Sequence, residues 1–540
     1  MTADLSAIPA TIPAAIERAA QLWPNDEALV DTLADGSTDR LNFVQLKDRV
    51  WQVAAAMIAS GVQPGDRVAV WAPNSSTWIA AGYGAYVAGA VLVPLNSRFK
   101  GPEAAHVLRT SRARLLFTVT DFLDTDYVEL LADQPGLDEL TEIVVISGQN
   151  RSDTTSWADF LKRSDGVPIA DVEVRAAAVR PEDSSDIIFT SGTTGAPKGA
   201  VLTHGASTRV YTTWSSGVGL QHGDRYLMIY PFFHTAGLKS CVLACILTGA
   251  VMVPHPVFDV PSVLARVQEE RITMLPGPPA IYQSILNTDR SAYDLSSLRL
   301  AVTGAAAIPV SLVVRLGEEL GFSSVVTAYG LTETTGTATM CQHDDDPETI
   351  ATTSGRAIPD TELKVVDDEG RTLPAGEPGE VLVRGYNVMK EYFGDPEATA
   401  AAIDADGWLK TGDIAVLDER GNIRITDRKK DMYIVGGFNA YPAEIESIIS
   451  KHPAVAQVAI VGVPDERMGE VGMAYVIPRQ GTSFDDKEFL AWCRDQMANY
   501  KVPRYVQVVD ALPLNPSGKV LKYELRARAA SKAIDPRTSR

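Results

Sequence analysis

The chain has 540 residues, with 49 lysines and arginines against 68 aspartates and glutamates, a formal charge of −19. That length calls for more than one domain, and that charge excludes nonspecific nucleic-acid binding. The four cysteines, Cys241, Cys245, Cys341 and Cys493, lack paired metal-ligand spacing, which fits packing in a reducing compartment such as the cytoplasm.

In chain order, residues 1–20 have no basic segment followed by an apolar core, so no signal peptide is expected. Apolar spacing predicts helices over 14–22 and 43–60, with Gly61 closing the second. Residues 68–97 carry no charge, but Pro73, Asn74, Ser75 and Ser76 interrupt them. They read as a buried strand–helix–strand unit and not as a membrane span. Strands follow at 114–119 and 143–146, and 147–179 reads as mostly polar and irregular. A short apolar strand then ends in Thr190, Ser191, Gly192, Thr193, Thr194, Gly195, Ala196, Pro197, Lys198 and Gly199.

Glycines that expose backbone N–H groups, hydroxyl donors and a closing lysine suit a polyphosphate. The stretch is no Walker A loop, because Lys198 is followed by Gly199. By composition alone it could equally be an ordinary surface loop. Strands and helices alternate from 226 to 328, with loops at 304 and 329 that also follow strands. Alternation of this kind predicts a largely parallel sheet with helices on both faces and ligands at the strand carboxyl ends. From about 355 to 427 short strands between turn residues predict an antiparallel subdomain. The charged run at 427–431 marks a boundary, and the remainder suffices for a small α+β domain.

In this order the segments resemble the adenylate-forming superfamily of acyl-CoA synthetases, peptide-synthetase adenylation domains and firefly luciferase. The resemblance rests on the 190–199 loop, Pro231-Phe232-Phe233-His234, Thr303-Gly304-Ala305-Ala306 and Tyr329-Gly330-Leu331-Thr332-Glu333-Thr334. Trp408-Leu409-Lys410-Thr411-Gly412-Asp413, Asp427-Arg428-Lys429-Lys430 and Pro516-Ser517-Gly518-Lys519 complete it. Within the superfamily the chain looks like actinobacterial fatty-acid or steroid-degradation acyl-CoA ligases. The resemblance implies a large N-terminal adenylation domain, 1–429, and a mobile C-terminal domain, 430–540. It implies two steps: a carboxylate attacks the ATP α-phosphate and releases pyrophosphate, then coenzyme A displaces AMP.

The family's roles carry over position by position. Thr190, Ser191, Gly192, Thr193, Thr194, Gly195 and Lys198 would hold the β- and γ-phosphates. Glu333, with the Thr190 hydroxyl, would bind Mg2+. Thr332 would reach the α-phosphate, Tyr329 would stack on adenine, and Gly304, Ala305, Ala306 and Gly330 would make room for the nucleotide. Asp413 and Arg428 would take the ribose. His234 would lie near the reacting carboxylate, and Lys519 would bridge carboxylate and α-phosphate. Lys430 would be the hinge, and Gly436 with Gly437 would line a tunnel for coenzyme A. Phe232, Phe233, His234, Gly237, Gly304, Gly330, Leu331 and Thr335 are the expected acyl-pocket walls. An apolar fatty, aromatic or alicyclic acid is expected, because no cation awaits a second carboxylate. A homodimer and a protein acetyltransferase acting on Lys519 are further partner expectations. Two alternatives are an adenylation enzyme loading a carrier-protein thiol and a non-catalytic nucleotide-binding protein. The first is disfavoured because no Asp follows the 231–234 aromatics, the second because Lys198, Glu333, Asp413, Arg428 and Lys519 are all present.

Overall fold

The structure is a computed structural model that describes residues 8–33, 36–190, 197–304, 308, 310–367, 369–428, 432–479, 481–513, 520 and 522–531. Of the expected site residues, Ser191, Gly192, Thr193, Thr194, Gly195, Ala305, Ala306, Lys430 and Lys519 lie outside the described residues, as does the Arg428 side chain. Two compact units are distinguished. One extends to Thr426; the other begins at Asp427 and takes with it Arg98–Glu103 and Thr190–Lys198.

The first unit is built on two large sheets. The eight-stranded sheet starts at the edge strand Glu391–Tyr392 and runs through Lys198–Thr203, Ser184–Thr190, Val91–Pro94 and Arg67–Trp71. Ala113–Val119, Glu142–Ser147 and Thr155–Ser156 complete it. Its middle is parallel, as in the pairing of Leu92 with Asp186 and of Val68 with Leu92. The nine-stranded sheet has a parallel centre of Ser324–Tyr329, Leu300–Thr303, Met274–Pro276, Arg225–Met228 and Val251–Pro254. A four-stranded antiparallel sheet, Thr361–Val366, Gly379–Gly385, Leu409–Leu417 and Ile423–Arg428, stands where short strands between turns are expected.

The uncharged run at 68–97 is the core β-α-β unit of the first large sheet. Its helix, Ser76–Val87, is capped by the Ser75 hydroxyl and buried on nearly every face, which explains its lack of polar residues. Among the described residues no helix is long and apolar enough to cross a membrane.

One local expectation is corrected, and two local features stand out. Residues 147–179 are not irregular: they hold the helices Trp157–Lys162 and Ile169–Ala177. In the latter only Val172 is buried while Ile169 and Val174 are exposed, so the sequence carries no clean apolar stripe. The helix that follows the strand Arg225–Met228 begins as a π-helical stretch, Ala236–Leu243, and becomes α-helical at Ala244–Thr248. Asp413 sits inside the strand Leu409–Leu417. There the ladder to Gly379–Gly385 slips, and Gly412 takes φ +72, so the bulge re-aims Asp413.

The second unit carries an antiparallel sheet in the order Phe438–Ala440, Tyr433–Val435, Gly469–Pro478, Val455–Asp465, with Tyr505–Val508 added in parallel to Gly469–Pro478. Helices Pro442–Ile449, Asp486–Gln496 and Lys522–Ser531 accompany it, and Ile445, Ile460, Tyr475, Phe489 and Leu525 share its core.

Candidate functional site

The loops that sequence reasoning singled out follow strands of the first unit. Strand Ser184–Thr190 leads into the stretch expected to bind phosphates, and Lys198–Thr203 is the strand that follows it. The Thr190 hydroxyl donates to the Lys198 carbonyl at 3.5 Å, across the neck of the loop. Gly199 has a packing reason of its own: a Cβ there would meet Ile187 at 2.5 Å.

Strand Ser324–Tyr329 ends in a compact turn. Gly330 lies against the Gly336 backbone, where a Cβ would sit 2.4 Å from the Gly336 carbonyl oxygen. The Gly336 N–H donates to the Leu331 carbonyl at 2.8 Å, and Thr332–Thr334 forms one 3-10 turn. This closure presents Thr332, which is buried, and Glu333, which is half-buried. The Tyr392 hydroxyl donates to Glu333 Oε1 at 2.7 Å, and the Met389 N–H donates to the Glu333 carbonyl at 2.8 Å. Tyr392 belongs to the edge strand Glu391–Tyr392, which pairs with Ala200 and Val201 of the strand Lys198–Thr203. The carboxylate at the end of one sheet is therefore aimed by a residue on the edge of the other.

Tyr329 serves the second carboxylate. Its hydroxyl donates to Asp413 Oδ2 at 2.7 Å, and Asp413 is 1% exposed. The Asp413 N–H donates to the Thr411 hydroxyl at 3.1 Å. The Tyr329 ring packs on the apolar cluster of Val381, Val383, Ala415 and Ile423. Strand Ile423–Arg428 ends in the same sheet.

The Pro231–His234 segment is stitched to the neighbouring sheet by Asn74. That side chain donates to the Met228 and Tyr230 carbonyls at 3.0 and 2.9 Å and accepts from the Phe232 N–H at 2.9 Å. His234 is exposed, and partial desolvation by the protein around it lowers its pKa from the usual histidine value. Its Nδ1 accepts from the Ala236 N–H at 3.3 Å, which assigns the proton of the neutral ring to Nε2. A neutral imidazole with an Nε2–H is a donor for a carboxylate oxygen.

The expected acyl-pocket walls divide. Phe233, His234, Gly304, Gly330 and Leu331 retain surface. Phe232 does not: it is 1% exposed and packs edge-on against Trp78. Thr335 is fully buried, its hydroxyl donating to the Asn387 carbonyl at 2.7 Å. Gly237 opens no room, since a Cβ there would overlap the Pro231 carbonyl oxygen at 2.0 Å. These three are corrected from walls to supports.

In the second unit Gly436 and Gly437, at φ +55 and +87, form a two-residue hairpin turn between paired Val435 and Phe438. Tyr392 and Asn74 escaped sequence reasoning, because neither lies in a patterned segment.

Comparison with known proteins gives the arrangement its family. A model described as AMP-binding enzyme matches residues 16–393, and one described as AMP-binding enzyme C-terminal domain matches residues 444–519. The chain is 48% identical over 523 residues to a 3-[(3aS,4S,7aS)-7a-methyl-1,5-dioxo-octahydro-1H-inden-4-yl]propanoyl:CoA ligase of Rhodococcus jostii, covering 96% of this chain and 98% of that one. It is 48% identical over 517 residues to the ligase of that name from Mycobacterium tuberculosis, at 96% and 98% coverage. The o-succinylbenzoate CoA synthetase structure from Bacillus subtilis superposes with a TM-score of 0.77 at 27% identity, covering 95% of this chain and 97% of that one. The chain belongs to the AMP-binding enzyme family, in the branch of the acyl-CoA ligases.

Proposed function

We propose that this chain is an AMP-forming acyl-CoA ligase whose acid is a bulky alicyclic propanoate. The observation that carries the chemistry is the pair of carboxylates, Glu333 and Asp413, each oriented by a tyrosine hydroxyl beside loops that follow parallel strands. The alicyclic acid is supported by the two relatives at 48% identity.

Adenylation brings a carboxylate to a polyanion, so catalysis here is alignment and charge stabilisation. His234 donates Nε2–H to one oxygen of the substrate carboxylate. Thr332 binds the α-phosphate. Asp413 accepts the ribose hydroxyls, with its rotamer held by Tyr329. Thr190, Ser191, Gly192, Thr193, Thr194, Gly195 and Lys198 hold the departing pyrophosphate, and Lys519 bridges the reacting groups. A carboxylate fixed by Tyr392 is the hard oxygen donor that Mg2+ prefers, so Glu333, with Thr190, fits that ion. When bound, the ion would offset phosphate charge as pyrophosphate leaves. Residues 430–540 act as a mobile domain hinged at Lys430, and Gly436 with Gly437 admits coenzyme A. A cytoplasmic homodimer, with acetylation of Lys519 as its off-switch, completes the proposal.

AMP release is measured with a hexahydroindanedione propanoate, ferulate and octanoate, each with and without coenzyme A. Highest kcat/KM with the bicyclic propanoate is expected. Higher kcat/KM with octanoate or ferulate would overturn the alicyclic assignment, and no acid-dependent AMP release from any of the three would overturn the ligase.

A further inference from the structure

The core of the first unit contains an ion pair that the reaction steps above do not use. Lys239 and Asp186 are paired, and neither side chain has exposed surface. Asp186 also accepts from the Tyr86 hydroxyl and, at 2.6 Å, from the Ser185 hydroxyl. Lys239 Nζ reaches the Tyr86 hydroxyl at 3.4 Å and lies 5.1 Å from the centre of that ring. Burial pulls the Lys239 pKa below the ordinary lysine value, and Asp186 opposes that shift. An apolar pair of the same size would fill this space without desolvating two charges. Stability alone therefore does not account for the pair, and a role in specifying register does.

Its location points to what is specified. Asp186 lies on the strand Ser184–Thr190 that feeds the phosphate loop. Lys239 lies five positions after His234, inside the π-helical stretch Ala236–Leu243. A π-turn accommodates one residue more than an α-turn, and such turns concentrate at functional sites. Reversion to α-helix would rotate the side chains on one side of the slip by about 100°. Lys239 could not then keep Asp186 while Gly237 keeps its seat under the Pro231 carbonyl. Two further contacts agree with the observed register. The Tyr83 hydroxyl donates to the Leu238 carbonyl at 3.0 Å, and the Ala236 N–H donates to His234 Nδ1.

We infer that Lys239 and Asp186 are positioning residues: their buried pair locks the π-helical register of the acid-binding segment 231–243 to the strand that carries the phosphate loop. The inference rests on the reading of that segment as the acid's binding site. It separates from a merely structural role because the register governs the acid and not ATP.

The test is the double variant Asp186→Leu with Lys239→Met in the full-length chain, followed by Tm and by separate KM values for acid and ATP. A Tm close to wild type is expected, with acid KM raised by about tenfold or more, the loss that a misplaced binding group produces. ATP KM should stay within about twofold. A folded double variant with unchanged acid KM would overturn the inference, as would equal rises in both KM values. If the double variant does not fold, Tyr83→Phe removes only the hydroxyl on the Leu238 carbonyl. It should raise acid KM about threefold, the scale of one hydrogen bond, with ATP KM unchanged, and no change in acid KM would overturn the inference. His234→Ala isolates the underlying reading. If it leaves acid KM unchanged while the double variant raises it, the histidine's role fails and the register assignment stands.

Discussion

Charged groups in the first unit are held in two different ways. In the core, Asp186 faces the full counter-charge of Lys239, and neither group can meet a ligand. At the sheet ends, Asp413 and Glu333 are each held by a tyrosine hydroxyl. A hydroxyl orients a carboxylate but brings no counter-charge of its own. An acid in this fold is thus paired with a charge where it is sealed in the core and oriented by a hydroxyl where it stands at a sheet end, the place proposed above for ligand binding. Changing the partner, and not the acid, is therefore the informative experiment.

The largest effect is expected in the core, where pH can break the comparison. His204 is 1% exposed, stacks edge-on to Tyr86 and accepts the Ile12 N–H at Nδ1. Burial, with help from nearby Lys239 and against Asp186 and Asp183, pushes its pKa down to about 3. The unfolded chain takes up this proton near pH 6.5, whereas the folded chain takes it up only near pH 3. The unfolded state thus binds more protons between those values, and stability falls as pH falls through that window. The full loss is about 5 kcal/mol, of which about 2 kcal/mol is reached at pH 5. Denaturant unfolding at several pH values should show His204→Gln losing about one proton's worth of slope between pH 6.5 and 4. An unchanged slope would contradict the buried neutral assignment.

At the sheet ends the proposed catalytic cation is Lys519. Lys519→Ala should reduce adenylation by on the order of 10²-fold or more, as when a preorganised electrostatic donor is removed. Pyrophosphate exchange reads that step. Thioester formation from a supplied acyl-adenylate should survive, and equal losses in both half-reactions would exclude the assigned role.

How much of this was legible follows from what each segment must satisfy locally. The strands before 190, 304 and 329 are short, apolar and β-branched, and they empty into glycine and threonine, so both strand and loop can be read in place. Asp413 was legible as an acceptor, but the way it is aimed was not, because Gly412 serves a bulge that only the neighbouring strand reveals. Gly237 and Thr335 are expected as acyl-pocket walls; the packing of Pro231 and Asn387 makes them supports. Lys239 reads as a stray charge beside an apolar run until the fold brings it to Asp186, 53 positions earlier. Periodicity is a local quantity, and these pairings are not local.

The tyrosines offer the sharper version of the comparison. Tyr329→Phe keeps the ring on its apolar cluster and removes the donor to Asp413, so ATP KM should rise about tenfold, the scale of one hydrogen bond to a charged group. Acid KM should not follow.

Tyr392→Phe has the smallest expected effect, because the Met389 N–H still holds the Glu333 backbone at 2.8 Å and only the side-chain rotamer is released. A loss of about threefold in kcat/KM is expected, at the low end for a hydrogen bond because the backbone contact of Glu333 is retained. It should appear as a higher Mg2+ requirement, since freeing the rotamer weakens a metal donor and leaves the phosphate contacts in place. Titrating Mg2+ at saturating ATP separates the two tyrosines: excess metal should restore Tyr392→Phe and leave Tyr329→Phe impaired. If excess metal restored both variants or neither, the two tyrosine–carboxylate pairs would not divide metal from ribose, and Glu333 and Asp413 would have to be reassigned together.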